Sequence, residues 1–363
     1  MSKLVLARDA SRVAYAFAYA FPLNFACLRA QGPTTFRLSC TALLGDGIMY
    51  EGDLVVAAAV PSYSDAWRER YANSRYLECL PVDDLQKRYV DLLDNVLAFR
   101  PDGTPHFDGL SADTGWTRRM ADVYAEVDLR SLAAAWLKTV EQTVLDRPYA
   151  NVKKAVRAFG SRRFTPERAV IKYGRRDHMV DLLEQGRVRL TPASNYDDPS
   201  LNPAIRDAEL ESCTYLPPGT QFRIELKPGS GVFEDIIGIA GLIKYTNRCE
   251  NYYVFCTSAT FDPRAFDDFG YDACVLIHDF EELIERIKVQ RAPARSLSAG
   301  STVYLDPYMP HRAAPSVELM KHIRYAYQME WRIFWTDPLP TPPLQPYFME
   351  LGNLSSFCEL ITL

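Results

Sequence analysis

No two cysteines stand at metal-ligand spacing: of the eight, the closest pair is Cys249 and Cys256, seven positions apart. A C-x₂-C zinc site is therefore excluded, and the thiols read as reduced, mostly buried side chains of a cytoplasmic protein. Histidine is sparse as well, with five residues and no ligand pair among them, so no metal is expected. No G-x-G-x-x-G follows a strand and no G-x-x-x-x-G-K-[ST] occurs, which removes the Rossmann and P-loop fingerprints. Neither G-x-S-x-G nor S-x-x-K marks a serine hydrolase. Solenoid-period repeats and low-complexity tracts are missing. The apolar run 13–28 is too short to cross ~30 Å of hydrocarbon comfortably and is interrupted by Pro22 and Asn24. It reads as a buried helix rather than a leader or anchor, so a soluble protein without a membrane partner is expected.

What is present is globular. The chain has 363 residues, of which 48% are hydrophobic and 24% charged, with a net charge of −5. That length corresponds to about two domains at ~150 residues each, and the charge argues against a surface that coats nucleic acid throughout. Residues 1–150 read as a mainly helical accessory or target-recognition domain. Helical spacing runs over 63–76, 82–99 and 116–145, the last broken near Asp128. Strand candidates lie at 35–40 and 54–60, and the Pro- and Gly-containing stretch 100–109 reads as a turn.

From 151 the texture changes. Segment 151–176 holds nine basic residues against one acid, Glu167. Such a run is ordinarily a solvated face; the sharper reading is a phosphate-facing surface. Strands are expected at 169–173, 188–191, 222–226, 236–244, 252–258, 274–278 and 331–335. A helix over 177–185 is closed by Gly186, and one over 280–289 is opened by Asp279 as N-cap. The strands and helices do not alternate as βαβ units, so the expected class is α+β without a doubly wound parallel sheet.

Three clusters in 151–363 carry polar chemistry. Val170-Ile171-Lys172-Tyr173-Gly174 is a strand ending in a cation and an aromatic, followed by Arg175 and, on the adjoining helix, His178. Tyr252 to Ser258 is an apolar strand closing on Thr257 and Ser258, hydroxyls that ordinarily just bond to backbone. In Gln328-Met329-Glu330-Trp331-Arg332, a strand would put Gln328, Glu330 and Arg332 on one face. The intervening Asn195-Tyr196-Asp197-Asp198-Pro199, with Asp207 and Glu209, reads as an Asx-rich turn with capping acids, or Asp197, Asp198, Asp207 and Glu209 serve a phosphodiesterase-type nuclease with a divalent metal.

Taken together, Lys172-Tyr173-Gly174, Asn195 to Pro199, Phe255-Cys256-Thr257-Ser258 and Glu330-Trp331-Arg332 resemble the pattern of a bacterial domain-of-unknown-function family related to the ADP-ribosyltransferase fold. The resemblance covers roughly 168–337. It implies a split, largely antiparallel β-sandwich over 151–363 with NAD, as substrate, in a cleft. It implies Glu330, Gln328 and Ser258 as catalytic residues, with Lys172, Tyr173, Arg175, Tyr253 and Thr257 binding NAD. Lys172 stands where the related enzymes carry Arg or His.

The implied activity is transfer of ADP-ribose to a nucleic acid or protein acceptor, with NAD glycohydrolysis as a variant. A role as toxin or phage-defence effector, with a neutralising partner protein, comes with the same resemblance. The chemistry suits the residues, because cleavage at the nicotinamide–ribose bond builds positive charge that a fixed carboxylate stabilises. Two alternatives stay open: a nucleotide or nucleic-acid binding module that has lost turnover, and the metal-dependent nuclease.

Overall fold

The structure is a computed structural model that describes residues 36–43, 49–56, 63–108, 115–133, 135–162, 164–165, 167–217, 222–225, 230–236, 242–290, 296–309, 316–336 and 343–363. The expected helix at 13–28 lies outside them. The chain divides into two compact units, 1–63 and 64–363. In the first, β1 (Phe36–Leu43) and β2 (Met49–Val56) form an antiparallel hairpin.

The second unit begins with four helices, Tyr63–Ser74, Val82–Val96, Gly115–Leu129 and Ala135–Leu145, and a small hairpin of β3 (Leu97–Phe99) and β4 (Pro105–Phe107). Leu85, Tyr89, Leu92, Leu93 and Val96 recur at helical spacing, and all are buried in the core these helices share. The expected helix over 82–99 ends at Val96; Leu97–Phe99 is strand β3, after which the chain turns through Gly103 (φ +86°) into β4.

The helical segment is bonded directly to the later, strand-rich part of the chain. Arg88 makes two bonds to Asp306 at 2.6 and 2.7 Å, and Arg264 donates to the Asp94 carbonyl at 2.7 Å. Asn95 donates to Ile323 O at 3.0 Å and accepts from Tyr327 N at 2.7 Å. Both segments belong to the compact unit 64–363.

After the helix Val152–Phe159 come β5 (Val170–Gly174), the helix Arg176–Gln185, β6 (Arg187–Pro192), β7 (Glu211–Leu216), β8 (Phe222–Glu225), β9 (Phe233–Ile236), β10 (Ile243–Arg248) and β11 (Tyr253–Ser258). A short helix, Ala265–Phe269, precedes β12 (Ala273–Ile277), the helix Phe280–Val289, β13 (Leu297–Ser301), β14 (Val303–Leu305), β15 (Met320–His322), β16 (Glu330–Trp335), β17 (Tyr347–Glu350) and β18 (Cys358–Thr362).

Eight of these form one antiparallel sheet. Its spine runs β13-β16-β11-β5-β12-β18, with β6 and β17 branching from β11. The fork has a simple origin. β11 pairs with β5 at Ser258↔Ile171, yet with β6 at Tyr253↔Pro192 and Val254↔Thr191, so two strands diverge from one edge. The chain is thus mixed α+β with several antiparallel sheets, as its lack of βαβ alternation predicted.

Both faces of the spine are covered. Val170, Phe255, Val275, Ile277 and Trp335 pack with Leu182 and Leu283 of two helices on one side. Ile171, Cys274 and Leu276 pack with Ala155 and Phe266 on the other. Burial on both faces explains why β12 reads Ala-Cys-Val-Leu-Ile without polar alternation.

Candidate functional site

The fork in the sheet creates the site. Where β5 and β6 part, the backbone of β11 between Val254 and Ser258 loses its neighbour on that edge. Lys172 fills part of the gap, donating to Cys256 O at 2.7 Å with its ammonium 4.7 Å from the Phe255 ring centroid. Burial pushes its pKa down.

An outer cleft of about 1050 Å³ opens here, with Lys172, Arg175, His178, Arg189, Tyr196 and Phe348 among its walls. It narrows to an inner chamber of about 110 Å³ that contains Lys172, Tyr196, Thr257, Ser258, Gln328 and Glu330. Lys172, Tyr173, Tyr196, Ile205 and Tyr271 line both spaces and form the neck between them.

Glu330 is the first residue of β16, paired opposite Ser258 on β11. Lys321 donates to its Oε1 at 2.6 Å and Arg332 to its Oε2 at 3.0 Å. Burial alone would raise the pKa of this carboxyl, but the two cations outweigh it and hold the group well below the usual carboxylate range. Each oxygen still has a lone pair for a ligand. Arg332, wholly buried, also grips Glu209 through Nη2–Oε1 at 2.8 Å and Nη1–Oε2 at 2.7 Å. Two acids and two cations are therefore buried together, an arrangement that carries a large desolvation cost.

The strap from 193 to 210 closes over this cluster. Gln328 donates to Ala204 O at 2.8 Å and accepts from Lys321 at 3.0 Å, so its amide ties strap to strand. Tyr325 and Arg324 both bond to Arg206 O, and Asp207 N donates to Tyr196 O at 2.9 Å.

The expected residues fare unequally. Lys172, Thr257, Ser258, Gln328 and Glu330 meet at the chamber because β5, β11 and β16 are neighbours. Gln328 does not lie in a strand beside Glu330. It ends the 3₁₀ turn Ile323–Gln328, Met329 follows in the left-handed region, and β16 starts only at Glu330. The Ser258 hydroxyl lies 2.7 Å from Gln328 O and 2.9 Å from Thr260 O, so it braces that turn rather than the carboxylate itself. Thr257 donates to Trp331 O at 3.0 Å.

Tyr173 points to the opposite face of β5 from Lys172. Its ring meets Phe266 edge-on at 5.3 Å, and its hydroxyl bonds both ways with the Asp262 backbone. Tyr253, expected at the NAD site, is buried in the core, donates to Gln345 O at 2.9 Å and is not among the residues lining either cavity. Alternation along β11 turns it to the face covered by helices. Arg175 is exposed at the start of the helix Arg176–Gln185 and lines only the outer cleft.

Sequence reasoning missed Lys321. It sits on a three-residue strand, nine positions before Glu330, and no periodicity links the two. Of the acids considered for a nuclease, Asp197 and Asp198 are exposed at the outer cleft, whereas Glu209 is bound to Arg332. Among the described residues no group of three or more His, Cys, Asp or Glu could hold a metal ion, and no helix is long and apolar enough to cross a membrane. Compared with known protein families, with characterised proteins and with solved structures, the chain matches none.

Proposed function

We propose that the chain cleaves the nicotinamide–ribose bond of NAD and transfers ADP-ribose to a macromolecular acceptor, with 151–363 as the ADP-ribosyltransferase-like part. The observation that carries this is the ionised Glu330 at the inner end of a cleft, on a strand adjacent to those bearing Ser258 and Lys172. The outer cleft has the volume a dinucleotide needs, and Lys172, Arg175 and Arg189 supply cations for its pyrophosphate. In the chamber, the bond from ribose to nicotinamide breaks with its electron pair leaving on the ring. Glu330 stabilises the positive charge left on the ribose, and an acceptor nucleophile then bonds to that carbon and gives its proton to solvent. Without an acceptor, water takes its place and the protein is an NAD glycohydrolase. The helical segment before 151 would serve acceptor recognition. Action as a cytoplasmic toxin or defence effector, checked by a neutralising partner, belongs to the same proposal.

The test is nicotinamide release from NAD by wild type and Glu330→Gln, with and without cell lysate. Loss of about a hundredfold, or ~3 kcal/mol of transition-state stabilisation, is the expected effect of the substitution. A second reading has one observation in its favour. Lys321 and Arg332 cancel much of the Glu330 charge, as suits a nucleotide-binding module without turnover. Saturable NAD binding with no nicotinamide release would select it.

A further inference from the structure

A third cavity lies against the turn that precedes Glu330. Its volume is about 490 Å³, and its walls include Trp116 and Arg119 from the helical segment and Asp262, Tyr304, Tyr327 and Met329 from the sheet side. Asp262 and Tyr327 also line the inner chamber, so the two spaces adjoin. Met329, at 47% exposure, holds a left-handed φ of 44°. Long side chains rarely adopt that conformation, and it concentrates at functional sites.

The lining is flat and polar-edged. The Arg119 guanidinium lies 5.6 Å from the Trp116 ring centroid, and that of Arg264 backs the Tyr327 ring at 3.6 Å. The Tyr304 hydroxyl accepts the Glu330 N–H at 2.7 Å, which leaves its own hydrogen to donate. Asp262 Oδ1 accepts from Arg264 N at 2.9 Å and its Oδ2 lies 3.4 Å from Arg264 Nη2, while the side chain keeps 21% of its surface exposed and lone pairs free to accept. Asp306 sets one negative charge against both Arg88 and Arg119, so surplus positive charge remains on the Arg119 side. Aromatic faces for stacking, a donor and an acceptor for a ring edge, and a cation for a phosphate fit a nucleobase. An aliphatic peptide side chain would use none of the polar groups.

We propose that this cavity receives an unpaired base of single-stranded nucleic acid, which is the acceptor in the transfer reaction. Trp116 stacks on the base, while Asp262 and Tyr304 bond to its edge. The acceptor role rests on the proposed NAD chemistry; the binding site rests on the cavity alone.

Fluorescence anisotropy with short mixed-sequence DNA and RNA tests the site. Single strands bind more tightly than the duplex of the same sequence. Trp116→Leu weakens single-strand binding about tenfold or more, and Trp116→Phe, which keeps a stacking face and reports on folding, stays within about threefold of wild type. Failure to bind single strands, equal binding of the duplex, or Trp116→Leu binding like wild type overturns the proposal. Incubation with labelled NAD tests the acceptor role: label on the oligonucleotide supports it, and label only on lysate protein overturns it. Nicotinamide release in the same preparation reports separately on the NAD chemistry. If release is absent while Trp116-dependent binding persists, the base site stands and its role as acceptor falls.

Discussion

The ammonium of Lys321 lies 2.6 Å from Glu330 Oε1 and 3.0 Å from Gln328 Oε1. One buried cation thus orients the carboxylate in the chamber and the amide that holds the strap. Lys321→Met leaves Glu330 with Arg332 alone and should cost about 3–5 kcal/mol of stability, as for other broken buried pairs. It also raises the Glu330 pKa, so the acid limb of nicotinamide release moves to higher pH. Lys321→Arg, which keeps the charge, should leave that limb near its original position. Denaturant unfolding and a pH–rate profile measure the two effects separately.

Asp207 has the opposite electrostatic situation. Burial first, and the neighbouring charge of Glu209 second, push its carboxyl up to about 7. Between its ordinary value near 4 and that raised value, the folded protein holds a proton that the unfolded chain has lost. Stability therefore falls as pH rises through this window. Asp207→Asn should flatten the dependence and stabilise the protein at pH 8 by about 1–2 kcal/mol. Urea midpoints of wild type and variant at pH 5 and pH 8 decide it, and parallel curves would refute the assignment.

Asp306 ties the helical segment to the sheet. Burial acts to raise its pKa, but Arg88 and then Arg119 outweigh that and lower it. Its contribution is present above its unfolded pKa and is lost as pH falls below about 4. Asp306→Asn strands Arg88 without its charge partner and should cost about 3–5 kcal/mol at neutral pH. The variant should also lose part of the wild type's steep acid destabilisation, which thermal melts across pH 2–5 would reveal.

Gly186 and Gly352 make a matched pair of controls for backbone strain. Gly186 has φ +62°, and a Cβ there would run into the carbonyl oxygen of Gly352. Gly352 has φ +75° with open space around it. Gly352→Ala should cost about 1 kcal/mol for the left-handed backbone alone. Gly186→Ala should cost at least about 2 kcal/mol, because a backbone clash is added. Chemical denaturation of the two variants side by side is sufficient.

Elements whose signals are local were legible in the residue order. The helix Phe280–Val289 begins where Asp279 predicts, with Glu282 N donating to its Oδ1 at 3.1 Å, and Arg176–Gln185 ends at Gly186 in the left-handed conformation. Caps and apolar spacing act within a few residues, so they survive any tertiary arrangement. The strands at Lys172, Thr257-Ser258 and Glu330 were readable for the same reason, as short apolar runs with polar ends.

Pairing between distant strands was not readable in that way. Tertiary structure alone decided that β5 and β6 fork from β11, that alternation buries Tyr253, and that Gln328 closes a 3₁₀ turn before β16. It alone brought Lys321 to Glu330 and Arg88 to Asp306, a separation of 218 residues in the second case. Residue types and local spacing determine which side chains are available and which segments are helix or strand. Which of them share a cavity depends on strand register and sheet order, and these are set by burying both faces of the sheet at once.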